Sequence, residues 1–197
     1  KFAVVAPSNK PGEEMVQIFK QEVLARSGEV VHAEYYDPNV TDFRSPVDKI
    51  LSLAHPEKRV EEQKALAAKR KELNITRKTT RTAQYFNLPP IVDFDAVFIA
   101  DEAKTAGQII PTFTYRDAKN IKYLGITTWN SSQLVQRAGD QVDDAIFPVA
   151  FNTINASPDT KAFYDLYTST YNSTPGELDA IAFDASSLLI KGLRNAP

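Results

Sequence analysis

Short apolar runs alternate with stretches of helical spacing along this chain. Residues 2–6 (Phe-Ala-Val-Val-Ala) form a continuous apolar run, the signature of a strand buried on both faces. A polar loop follows, and Pro11 suits the first turn of a helix, where its missing amide would have no partner anyway. Met15, Ile18, Phe19 and Val23 mark one helical face, and Gly28 is the expected C-terminal cap. Residues 30–36 read as the second strand. Ser45, Pro46 and Asp48 then predict a helix start, with Ser45 capping and Pro46 in the first helical position.

The third apolar run, residues 96–100, enters through Pro89 and Pro90 and stops on Asp101 and Glu102. Residues 103–114 have helical spacing through Ile109, Ile110 and Phe113, and Pro111 is expected to end or kink that helix. Residues 123–127 and 145–151 complete five predicted strands, with a helix through Leu134 and Val135 between them. Beyond a linker at 152–157, Ser157 caps and Pro158 opens a helix bearing Phe163, Leu166, Tyr167 and Tyr171. A turn at 173–176 leads into a last helix, 177–193, carrying Ile181, Ala185, Leu188 and Leu189. Alternating strands and helices imply an α/β fold, a three-layer parallel sheet with helices on both faces.

One stretch breaks the rhythm. Residues 56–84 hold nine Lys and Arg against four Glu, which leaves the segment at +5 and the rest of the chain at −7. Large apolar residues are sparse there, so it reads as a solvated helix inserted between core elements. An anionic partner such as a membrane surface or cell-wall polymer is the competing reading. Its interleaved Glu and lack of regularly spaced aromatics argue against nucleic acid.

Composition narrows the field further. A net charge of −2 argues against a global field that would draw nucleic acid or membrane. The absence of cysteine excludes disulfides and thiolate chemistry and leaves the compartment open. No apolar run is long enough to span a bilayer. No signal-peptide pattern opens the chain, which instead begins inside a strand, so further sequence before Lys1 is expected.

Catalytic signatures are missing. The seven glycines form neither a dinucleotide fingerprint nor a phosphate loop, and no nucleophile elbow occurs. His32 and His55 stand alone and read as surface or satisfied histidines. Among the carboxylate pairs, Asp93/Asp95 precede a strand and Asp143/Asp144 occupy a turn. Asp101 and Glu102 alone follow a strand, at the edge where open α/β sheets place ligands. Two more loops share that edge. Ser8 and Asn9 follow the first strand and open a helix whose free amides suit an anionic group, although plain capping is the simpler role. Thr128, Trp129 and Asn130 follow the fourth strand, where Trp129 either presents an aromatic platform to a small polar ligand or closes the core. Ser8, Asn9, Asp101, Glu102, Thr128, Trp129 and Asn130 are therefore the candidate ligand-binding residues. No cofactor, metal ion or catalytic residue is expected.

Phe2-Ala-Val-Val-Ala-Pro7 with its polar loop and helix, the strand at 30–36 and Tyr36-Asp-Pro-Asn-Val-Thr-Asp-Phe43 resemble the second lobe of type 1 periplasmic binding proteins, among them the leucine/isoleucine/valine-binding proteins of ABC importers. The run from Leu88 to Asp101, Tyr123-Leu-Gly125, Trp129-Asn-Ser131, Ser157-Pro158 with Phe163 and Tyr171, and Ala182-Phe-Asp-Ala185 resemble the receptor-like domain of bacterial penicillin-binding protein activators. The resemblance spans nearly the whole chain but only about half of such a domain. It implies that residues 1–151 are lobe two, with the charged insertion at 56–84, and that 152–197 are a linker and helices of an incomplete lobe one. It also implies a periplasmic place, free or anchored at the outer membrane. The function implied is non-enzymatic regulation of cell-wall synthesis, by contact with a penicillin-binding protein or by sensing a ligand. The alternative is a solute-binding protein of an ABC importer for amino acids or similar small polar ligands. Amino-acid-binding members carry an acidic residue near the loop after the fourth strand; this chain has none at 127–130. The unpartnered apolar faces at 158–195 are expected to fold back or to pair with a second copy.

Overall fold

The computed structural model describes residues 1–154 and 156–194. Asn155 of the expected linker and residue 195 of the expected terminal helices lie outside them. Two compact units result, residues 1–148 and 149–197.

In the first unit, strands β1 (Phe2–Pro7), β2 (Val30–Tyr36), β3 (Ala96–Ile99) and β4 (Lys122–Leu124) form one parallel sheet in the order β2-β1-β3-β4. The order reverses between β1 and β3, which makes a topological switch point there. Alternate side chains divide the sheet into two faces. Val4, Ala6 and Phe98 pack with Val16 of α1 (Lys10–Ala25), and Phe19 stacks on Phe98 with centroids 4.3 Å apart. Ala3, Val5, Val97 and Ile99 form the other face, under α2 (Arg44–Ile50), α4 (Ala103–Tyr115) and α5 (Ser132–Ala138). This is the expected three-layer parallel α/β arrangement.

Several local expectations are corrected. The fifth strand does not form: residues 145–151 contribute a single parallel bridge, Leu124 to Ile146, before Pro148 removes a ladder donor. The fourth strand stops at Leu124, because residues 127–129 coil into a 3-10 turn around Trp129. Ser45 does not cap α2. The helix begins at Arg44, two residues before the expected first position, so Phe43 stands at the cap without a side-chain acceptor, and Asp42 just outside it accepts the Arg44 backbone N–H at 3.0 Å. Two hydrogen-bonded contacts with Arg44, side chain first and backbone second, hold the Asp42 carboxyl down at about 2. Gly28 is not the left-handed residue that ends α1. Ser27 takes that conformation (φ 59°), and the Gly28 N–H reaches back to the Val23 carbonyl at 2.8 Å. Gly28 is small for a different reason, since an added Cβ would stand 2.8 Å from Val23 Cγ1. Helix α4 runs on past Pro111 for another turn, its face held in the core by Ile109, Ile110 and Phe113.

The charged insertion is helical and exposed as expected, but the helix, α3 (Val60–Glu72), covers only part of it and buries no residue. An ion pair anchors the body beside it: Arg116, after α4, donates Nη2–H to Asp48 Oδ2 of α2 at 2.7 Å, and its Nε lies 2.6 Å from Oδ1 without hydrogen-bond alignment.

The second unit holds α6 (Pro158–Tyr171) and α7 (Glu177–Arg194). Ser157 caps α6 by accepting the Thr160 N–H, as its sequence predicts, and Asn172 closes it in the left-handed conformation. Phe163, 7% exposed, lies 4.7 Å from Phe183 and 5.7 Å from Phe151, centroid to centroid.

Candidate functional site

Parallel strands end together, so the loops after β1, β3 and β4 share one edge of the sheet. A continuous set of hydrogen bonds ties that edge together. The Ser8 hydroxyl and backbone N–H both donate to the Tyr36 carbonyl, at 2.9 and 2.7 Å. The Tyr36 phenol donates to Asp101 Oδ2 at 2.5 Å. The other Asp101 oxygen accepts the Glu102 N–H at 2.6 Å, and the Asp101 carbonyl accepts the Trp129 indole N–H at 2.9 Å. Three strand ends are thereby locked through one carboxylate residue.

Electrostatics follow from this geometry. Burial first, and then the hydrogen bond to Asp101 and its charge, push the Tyr36 phenol well above its ordinary range, so it stays a donor. Asp101 is half-buried and accepts two hydrogen bonds, while a carboxylate offers about four lone-pair sites. Capacity remains for an incoming donor. Glu102, Thr128 and Asn130 are exposed at the same edge.

The sequence-predicted residues separate by role. Ser8 and Asp101 are joined through Tyr36, and Trp129 is bound directly to the Asp101 carbonyl. Asn9 caps α1, its Oδ1 accepting the Gly12 N–H at 2.9 Å. Trp129 is 1% exposed, and its ring lies against Gly125, where any Cβ would run into the indole. The indole thus closes the core rather than offering an open platform, and what it does for the edge is to hold the Asp101 backbone. Sequence reasoning missed Tyr36, which sits at the end of an aromatic-rich strand and gave no sign that it would reach across to the third one. Its ring is braced edge-on by Phe43, centroids 5.0 Å apart.

Other titratable groups lie elsewhere. His32 meets Asp93 at 2.8 Å and His55 meets Glu57 at 3.1 Å. Among the described residues, no cluster of three His, Asp or Glu is placed to hold a metal ion, and no helix is long and apolar enough to cross a membrane.

Solved structures share the fold. A Rhodospirillum rubrum protein assigned to branched-chain amino acid ABC transport superposes with a TM-score of 0.69 at 18% identity, over 97% of this chain and 44% of that one. The leucine-, isoleucine-, valine-, threonine- and alanine-binding protein of Brucella ovis, in a closed conformation, gives 0.66 at 15% identity, over 100% and 40%. The substrate-binding protein LivJ of Streptococcus pneumoniae, in complex with isoleucine, gives 0.59 at 20% identity, over 99% and 45%. The chain thus spans less than half the length of these structures. No curated protein sequence matches it. The match to the family of periplasmic binding proteins runs over residues 1–197, and the chain belongs to that family.

Proposed function

We propose that this chain supplies one jaw of a non-enzymatic, two-lobe receptor that captures a small polar solute for an ABC importer. In this reading residues 1–151 form the second lobe, residues 152–197 belong to the first, and the protein works in the bacterial periplasm. The carrying observation is the hydrogen-bonded edge through Ser8, Tyr36, Asp101 and Trp129 at the switch point, with Glu102, Thr128 and Asn130 exposed beside it. Asp101 supplies the carboxylate that the loop at 127–130 lacks, so the ligand we favour bears an ammonium group. Asn9 and Ser8, at the start of α1, stand where a carboxylate would be received.

A role in cell-wall synthesis through contact with a penicillin-binding protein rests on sequence resemblance alone. The structural relatives are solute-binding proteins, which favours uptake.

Calorimetric titration compares isoleucine with 3-methylpentanoate, its analogue without the ammonium. Isoleucine should bind about tenfold tighter, and Asp101→Asn should erase the difference. Equal binding of the two, or no binding of either, would sink the proposal.

A further inference from the structure

We infer that the charged insertion builds a second binding site, a cleft for an acidic oligosaccharide, remote from the edge described above. The cleft has a volume of about 1130 Å³ and lies between residues 56–90 and the far end of α4. Helix α4 runs from Asp101 to this end, and thirteen residues at 1.5 Å each separate the two places by about 20 Å. The volume exceeds the roughly 300–1,000 Å³ of ordinary small-molecule pockets, so a chain of several rings fits better than one.

Charge comes first. Four cations line the cleft, against two carboxylates, Asp48 and Asp117. Arg116 occupies Asp48. Arg70, Lys78 and Lys119 form no ion pair among the described residues. Arg70 is stacked on Phe86, 4.7 Å from the ring centroid, which steadies the guanidinium and leaves its edge free for a bidentate carboxylate.

The neutral lining decides between anions. Gln63, Gln84 and Asn87 carry amides, which both donate and accept. Sugar hydroxyls do the same, so these groups match a carbohydrate, whereas a phosphate chain would leave the acceptor oxygens of Gln63 and Gln84 unused. Gln63 already donates to the Pro56 carbonyl at 2.7 Å, which turns its oxygen into the free end. Asn87 accepts from Lys78 Nζ at 2.7 Å, which leaves its amide N–H groups free. Tyr85, Phe86 and Tyr115 add flat apolar faces of the kind on which sugar rings rest. Among the described residues no strand borders the cleft, so an acidic peptide finds no sheet edge to extend.

Titration of the whole chain with tetragalacturonate at low salt is the test, with maltotetraose, tetraglutamate and tripolyphosphate beside it. Tetragalacturonate should saturate and shift the amide resonances of Arg70 and Phe86. Each of the other three should bind at least about fivefold more weakly. Arg70→Gln should weaken tetragalacturonate about tenfold and Lys119→Gln about threefold, both with unchanged melting temperature, while Lys122→Gln on β4 changes nothing. Maltotetraose binding equally well would remove the cations from the argument. Tetraglutamate or tripolyphosphate binding equally well would reduce the cleft to a basic surface. No saturable binding of tetragalacturonate, or binding unaffected by Arg70→Gln, would overturn the site altogether. Loss of isoleucine binding at the other edge touches none of these outcomes.

Discussion

The two compact units treat their apolar side chains in opposite ways. Residues 1–148 put Trp129, Phe113, Ile109, Ile110 and Val97 fully inside, between a sheet and its helices. In the second unit α6 and α7 bury Phe163, yet Leu178 is 82% exposed, Leu188 70% and Leu193 69%. Both units carry strong helical amphipathicity in their sequences, so amphipathicity alone does not make a core. A sheet gives the helices of the first unit a broad apolar face to cover. Two helices and a linker can satisfy one stripe between them, and the outer stripe of α7 stays open. In our reading of the chain as lobe two with part of lobe one, that stripe is a surface for the rest of lobe one.

The contrast can be tested from its strongest point downward. Trp129→Ala removes the largest buried side chain and its hydrogen bond to Asp101, and should cost about 3–5 kcal/mol in chemical denaturation. A cost below about 1 kcal/mol would mean that the indole is not the keystone of that edge. Phe163→Ala acts on the smaller cluster and should cost about 2–3 kcal/mol, read as earlier loss of helix in circular dichroism. An unchanged melt there would show that the α6–α7 contact adds nothing.

Tyr36→Phe leaves Asp101 one donor short and should cost about 1–2 kcal/mol near neutral pH. It also changes the pH dependence. The folded protein holds the Tyr36 proton more tightly than the unfolded chain does, so this stabilisation is complete below about pH 10, the ordinary tyrosine value, and declines as pH rises above it. Burial raises Tyr123 in the same direction. Melting temperatures between pH 8 and 11 should therefore fall more steeply for the native chain than for Tyr36→Phe. Parallel curves would refute the assignment.

The smallest effect on stability belongs to the open stripe. Leu188→Asp with Leu189→Asp should change stability by less than about 0.5 kcal/mol, because both side chains face water. The same pair should abolish self-association in light scattering, if the stripe pairs with a second copy as its apolar area favours. A native chain that stays monomeric at high concentration would count against pairing.

Much of this architecture was legible along the chain because burial on both faces leaves an unbroken apolar run. Phe2–Pro7 and Ala96–Ile99 announce themselves that way, and the second run leads directly to Asp101. The Ser157 cap and the exposed insertion were equally readable, since both depend on residues near in sequence. The fifth strand was not, because an apolar stretch pairs only if the neighbouring strand continues beside it, and β4 ends after three residues.

What the amino-acid sequence determined by itself was the order of elements, the parallel sheet and the loops that gather at one edge. Those follow from local periodicity and from the shared direction of parallel strands. What tertiary structure alone decided was the role of each side chain at that edge. Trp129 was as consistent with a platform as with a core plug until Gly125 came up against its ring. Tyr36 entered the site only because β2 and β3 flank β1, which brings a phenol within reach of a carboxylate sixty-five residues away. Such contacts depend on distances across the sheet, and no pattern along a single strand encodes them.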